Sequence, residues 1–151
     1  MPKNFAATRL VNLPGAEPKI TAAQLWKALE LKLKQPELFL PAATGASFAS
    51  EGGKSIRSMN TKAGKVVKES YETYEGTMTY LDGVDGDFRV TNLISYDKNN
   101  ELLLTFSFVG GIPVVAGLGE NHTAEELNKI VGDVLEKTID VSRDLVKKGV
   151  L

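Results

Sequence analysis

Apolar and polar positions change period twice along this chain. From Ile20 to Pro41 the string "ITAAQLWKALELKLKQPELFLP" opens with Thr21 and Gln24 at capping-box spacing, then sets Leu25, Trp26, Leu29 and Leu33 at helical intervals. The spacing predicts a helix over Ala22–Lys34, interrupted at Pro36 and followed by a short helical turn. From Gly45 to Val109 the period falls to two. Short alternating runs are separated by "EGGK", "TKAGK", "YEGT", "LDGVDGD" and "DKNNE", which supply Gly, Asn and Asp where a turn needs positive φ. Six antiparallel strands follow from that pattern, and "NFAATRLVNL" reads as an earlier, seventh strand.

The helical period returns in "TAEELNKIVGDVLEKTIDVSRDLVKKG". Thr123 and Glu126 form a second capping box, and Leu127, Ile130, Val131, Val134, Thr138, Val141 and Leu145 mark the expected apolar face. Lys147, Lys148 and Gly149 suit a helix terminus. A helix of about 24 residues, roughly 36 Å long, crosses a whole small domain and needs a curved sheet to pack on. The expected class is therefore α+β, an antiparallel sheet wrapped around a long terminal helix. Only "VGGIPVVAGLGENH", Val109 to His122, is long, glycine-rich and aperiodic, which makes it a candidate flap over whatever lies between sheet and helix.

Turn type fixes register, and register decides which side chains face inward. A three-residue loop in "TKAGK", with Gly64 left-handed, pairs Thr61 with Lys65, Met59 with Val67 and Arg57 with Glu69. The opposite face carries Ser58, Asn60, Lys68 and Ser70, so the face with Met59, Val67 and Tyr71 is the core face. Arg57 and Glu69 are thereby predicted to point inward. "EGGK" sets Phe48 opposite Arg57, and a two-residue turn at "YEGT" would set Tyr71 opposite Tyr80 and Thr73 opposite Met78. A loop closing on Asn100 aligns Phe88, Val90, Asn92, Ile94 and Tyr96 with Leu102, Leu104, Phe106 and Phe108. The concave face then holds many aromatics and a few polar groups, Arg57, Glu69, Tyr71, Tyr80, Asn92 and Tyr96, a lining suited to a largely apolar molecule with polar handles.

Composition narrows the chemistry. With 151 residues, 42% hydrophobic and 25% charged, the chain fits a single domain spanning residues 1–151. A net charge of -1 with scattered Lys and Arg gives no footprint for nucleic acid or an anionic membrane. No apolar run of about 18 residues and no signal-peptide core are present, so no membrane insertion is expected and a cytoplasmic location is. Cysteine is absent and histidine occurs once, which removes thiolate chemistry and leaves no histidine-based metal site. His122 reads as a surface residue. "EGGKS" fails as a phosphate loop because Phe48 stands where the first glycine belongs, and "NHT" at Asn121 is a glycosylation acceptor only in a secreted protein.

The order of elements, with the strings "FAATRLVN", "RVTNLISYDKNNELLLTFSFVGGIP" and the terminal-helix segment quoted above, resembles the START/Bet v 1 helix-grip (SRPBCC) superfamily, and within it the AtaL-like subgroup. The resemblance covers nearly the whole chain but carries no catalytic signature. It implies a curved seven-stranded sheet gripping the terminal helix, with a short helical segment after the first strand and a hydrophobic cavity between them. The superfamily includes lipid and hormone binders, polyketide cyclases and aromatases, and alkaloid-forming enzymes, and fold alone does not choose among them.

Candidate catalytic groups are Glu69 and Tyr71. Candidate ligand contacts are Arg57, Met59, Tyr80, Asn92, Tyr96, Phe106, Phe108, Val134 and Thr138. Each has a plainer reading. Arg57 and Glu69 could neutralise each other at the rim, the tyrosines could simply pack, and Thr138 could bond the preceding helical turn. Asn92, among Val90, Ile94, Leu104 and Phe106, must find partners and either ties down backbone or orients a ligand. Two functions remain open: a binder of a small hydrophobic or aromatic molecule, or a cyclase, isomerase or lyase that moves a proton with Glu69 or a tyrosine. No cofactor is implied by either, and the partner is a small hydrophobic ligand, with the protein a monomer or homodimer. A third reading, an interaction protein presenting the flap and terminal helix, lacks an obvious exposed apolar stripe.

Overall fold

A computed structural model of the chain describes residues 4–111 and 122–151. The elements run β1 (Phe5–Leu10), α1 (Ala22–Lys34), a 3-10 turn (Pro36–Leu38), β2 (Ala43–Glu51), β3 (Lys54–Thr61), β4 (Val66–Tyr74), β5 (Met78–Gly83), β6 (Arg89–Tyr96), β7 (Leu102–Val109) and α2 (Ala124–Lys147). The strands form one antiparallel sheet in the order β1-β7-β6-β5-β4-β3-β2. Six strands thus meander, while β1 docks beside the last of them. The candidate flap falls mostly on residues 112–121, outside the described residues.

Local chemistry explains the boundaries. Thr21 accepts from Gln24 N at 3.1 Å and Gln24 returns a bond to Thr21 N, so two otherwise orphaned donors at the start of α1 are satisfied. Thr123 and Glu126 repeat this at α2. At the far end of α2, Gly149 takes φ 74, and bonds from Gly149 N to Val146 O and Val150 N to Leu145 O close the last turn. Asn100 holds φ 61 in the β6–β7 loop, where Asp97 accepts from the N–H groups of Asn99 and Glu101. Asn100→Val, β-branched and poorly suited to that conformation, is expected to cost about 1–2 kcal/mol in urea unfolding, and Asn100→Gly almost nothing.

The core lies between the inner face of the sheet and the two helices: Leu25, Trp26 and Leu29 from α1, Leu104 and Phe106 from β7, and Val131, Leu135 and Ile139 from α2. The buried stripe of α2 is rotated from the expected one. Leu135, Ile139 and Ser142 are buried, whereas Ile130, Val134, Val141 and Leu145 are only partly covered. Gly132 is the reason on the β1 side, since a β-carbon there would overlap the Arg9 guanidinium. Arg9 crosses the helix to donate to Asn128 O at 2.8 Å, Asn128 Oδ1 at 3.1 Å and Glu136 Oε2 at 3.3 Å. Further along, Arg143 reaches back to Val11 O at 2.7 Å and Pro18 O at 2.8 Å. Two arginines therefore tie α2 to β1 and the segment after it.

One hairpin departs from the expected register. The β4–β5 loop has three residues, Glu75 to Thr77, with Gly76 at φ 81 and Thr77 N bonded to Tyr74 O. Tyr71 is therefore opposite Leu81, and Thr73 opposite Thr79. One added loop residue turns β5 over: Leu81 and Thr79 face inward, and Tyr80 faces out.

Candidate functional site

The β3–β4 hairpin builds the polar centre. Its loop keeps Gly64 at φ 79, and the resulting register places Arg57 opposite Glu69 and Met59 opposite Val67. Both charged residues are buried, Arg57 at 5% and Glu69 at 1% exposure. Arg57 donates from Nε and Nη2 to Glu69 Oε1 at 3.1 and 2.8 Å, and from Nη1 to Leu33 O, near the end of α1, at 3.0 Å. Both bonds to the carboxylate fall on one oxygen. No enclosed side-chain polar atom lacks a partner among the described residues, so Oε2 borders open cavity space. Taking both ions from water costs several kcal/mol each, which one close pair offsets only in part.

Helix α1 brings a third charge that the sequence reading missed. Lys32 turns its ammonium inward, 4.5 Å above the Phe106 ring and 3.5 Å from Asn92 Oδ1, the outer limit of a hydrogen bond. It makes no salt bridge among the described residues. Asn92 in turn donates Nδ2 to Thr79 Oγ1 at 3.2 Å. Burial, reinforced by the nearby Arg57 charge and only partly opposed by Glu69, lowers the Lys32 ammonium from 10.5 to about 7. Burial also pushes the Glu69 carboxyl above its ordinary value, against the pull of Arg57 and then of Lys32. The pair is thus displaced in opposite directions, both toward the neutral form. Two groups that exchange protons thus share one cavity, each made easier to hold neutral than in water.

The cavity encloses about 90 Å³, room for several waters. It contains Glu69, Arg57, Met59, Asn92, Phe106, Phe108 and Val134 of the candidate residues, together with Lys32 and Thr79, and is otherwise apolar. Four candidates lie elsewhere. Tyr71 is half-buried against Phe48, ring edge to face at 6.2 Å, outside the lining. Tyr80 is on the outer face, where it stacks with Tyr74 at 5.8 Å, donates to Glu72 Oε2 at 2.7 Å and lies under Arg89. Tyr96 is opposite Leu102 as predicted, but at the strand's end it is 56% exposed. Thr138 is buried and donates to Val134 O at 3.0 Å, the helix-internal bond of the plainer reading.

Thr79 escaped because of the one-residue slip at the β4–β5 turn. Lys32 had a legible signal: it is seven residues after Leu25 and three after Leu29, on the apolar stripe of α1. Among the described residues no group of three or more His, Asp or Glu is placed to hold a metal ion, and no helix is long and apolar enough to cross a membrane.

A seven-stranded antiparallel sheet around a long carboxy-terminal helix, with a short helix after the first strand, is the Bet v 1-like helix-grip fold. The chain belongs to the AtaL family, described as acetylaranotin biosynthesis cluster protein L, whose family model matches residues 5–149. Among solved structures it is similar to the di-domain ARO/CYC protein StfQ of the steffimycin biosynthetic pathway, with a TM-score of 0.59 at 12% identity over 97% of this chain. It spans about half of StfQ, 51% of that chain. A Bacillus thuringiensis protein is similar at TM-score 0.58 and 13% identity, covering 93% of this chain and 96% of the other. Ara h 8.0201 is similar at TM-score 0.53 and 11% identity, covering 96% and 97%. Curated proteins gave no match. At these identities the structural likenesses show the fold.

Proposed function

We propose that the cavity between sheet and α2 binds a small, largely apolar molecule, oriented by Lys32, Arg57, Glu69 and Asn92. The observation that carries this reading is the grouping of these four polar side chains on the wall of an otherwise apolar cavity. A core built for stability alone gains nothing from two cations and a carboxyl in its middle. The family name, drawn from a biosynthesis cluster, and the structural likeness to two ARO/CYC proteins, StfQ and BexL, support a natural-product-like ligand. The cavity would serve a single domain in the cytoplasm.

A second reading has a specific support. Glu69 and Lys32, displaced in opposite directions, suit proton transfer in a cyclase, isomerase or lyase step, with the walls fixing a reactive conformer. The two separate on incubation with fractions of an apolar small-molecule extract followed by mass spectrometry. A binder returns a retained compound unchanged, and an enzyme forms a product that disappears in Glu69→Gln. Val134→Phe, which puts a ring into the cavity, is expected to abolish retention while the chain stays folded by circular dichroism. Retention undiminished in Val134→Phe places the ligand elsewhere and ends the cavity reading.

A further inference from the structure

Among the described residues, the groups that line the cavity with Lys32 are unequally charged across its walls. β3 supplies Arg57, β4 Glu69, β5 Thr79, β6 Asn92 and β7 the Phe106 ring, while α2 supplies only Ile130, Val131 and Val134. The carboxyl of Glu69 is committed through Oε1 to Arg57, and the amine makes no ion pair. Lys32 therefore presents a primary amine to a mostly apolar cavity whose wall also carries a carboxyl oxygen, Glu69 Oε2, without a hydrogen bond among the described residues. An amine desolvated beside a second cation is the arrangement that makes lysine a nucleophile toward carbonyl carbon.

We propose that Lys32 condenses with small aromatic or unsaturated aldehydes and ketones in this cavity to hold them as imines, with Glu69 relaying the protons, a role that rests on the binding reading above. The nitrogen lone pair forms the N–C bond as the carbonyl π pair moves to oxygen. The Glu69 carboxyl delivers its proton to that oxygen and recovers one from nitrogen, giving a carbinolamine. The second N–H proton follows by the same route, the C–O bond breaks, and water leaves. The reaction consumes one amine and one carbonyl and yields one imine and one water, without oxidant or reductant. The apolar walls slow the return of water and so prolong the adduct. The lowered basicity of Lys32, to about 7, leaves a large fraction of the amine free near neutral pH, in support of the geometry.

The test uses the full chain with benzaldehyde, the smallest aromatic aldehyde and so the one that demands least widening. Methyl and amide NMR shifts are read first. Cyanoborohydride then fixes any imine as a benzylamine, located by peptide mass spectrometry at a series of pH values. The expected result is a benzyl group on Lys32 formed about ten-fold or more faster than at any other lysine, with a rate that climbs through pH about 7. Lys32→Arg, which keeps the charge, and Lys32→Met, which removes it, should both lose the selective adduct, and Glu69→Gln should slow its formation while leaving the site unchanged. Shifts at the cavity with no preference for Lys32 overturn the imine and leave the binding reading standing. No shifts and no selective adduct overturn the imine and count against the cavity as a site for this ligand class.

Discussion

Lys32→Met is expected to stabilise the folded chain by about 1–3 kcal/mol near neutral pH, because it removes a desolvated charge that Glu69 offsets only in part and that makes no salt bridge among the described residues. The sign follows from proton binding. The folded-state value is about 7 and the ordinary value 10.5, so between them the unfolded chain holds more protons than the folded one. Stability therefore climbs with pH across that window, by at most about 1.4 kcal/mol per pH unit from this group, and below about 7 the penalty is present in full. Urea midpoints measured across the window should rise for the wild-type chain and stay flatter for Lys32→Met. Parallel profiles for the two proteins would show that water reaches the ammonium and that its basicity is ordinary.

The largest loss is expected from Arg57→Met, about 3–5 kcal/mol, since it strands the Glu69 carboxyl in the core and leaves Leu33 O without its donor. Without the guanidinium, the carboxyl rises further above its ordinary value. A group raised on folding contributes stability below its ordinary value and loses it as pH climbs through the folded one, so the variant should weaken further from acid to neutral pH. Arg57→Met combined with Glu69→Leu should recover most of the loss, because no buried charge is then left alone. Guanidinium unfolding of the three proteins measures this. A cost below about 1 kcal/mol for the single variant would place the pair in contact with solvent.

What the sequence made legible follows from where backbone geometry is local. Gly64 and Asn100 each fix a three-residue loop, and from those two positions the facing of Arg57, Glu69, Asn92 and Phe106 follows without knowledge of the rest. "YEGT" was ambiguous because Gly76 suits both a two-residue and a three-residue loop, and the choice moved Tyr80 to the surface and Thr79 to the cavity. Tyr96 had the right face but lacked a neighbour to cover it, which periodicity does not report. On α2 the stripe was read from large apolar residues, while the actual seat depends on Gly132 admitting Arg9 from a strand over a hundred residues away, a contact local pattern does not contain. Lys32 falls on the apolar stripe of α1, but a lysine at such a position can equally run its stem along the stripe and put its ammonium in water, and local pattern does not separate the two.

The two arginine ties have a mechanical corollary. α2 packs chiefly on β1, β7 and α1, and no hydrogen bond joins it to β2, β3 or β4 among the described residues. The molecule is bound along one side like a book along its spine. Under the binding reading proposed above, a guest larger than the cavity would therefore displace the β2–β4 hairpins before the side held by the arginines. Among the described residues, the one polar tie from those hairpins to α1 that bears on the cavity is Arg57 on Leu33 O, next to Lys32, so under the same reading that single bond would hold the carboxyl and the amine at a fixed spacing.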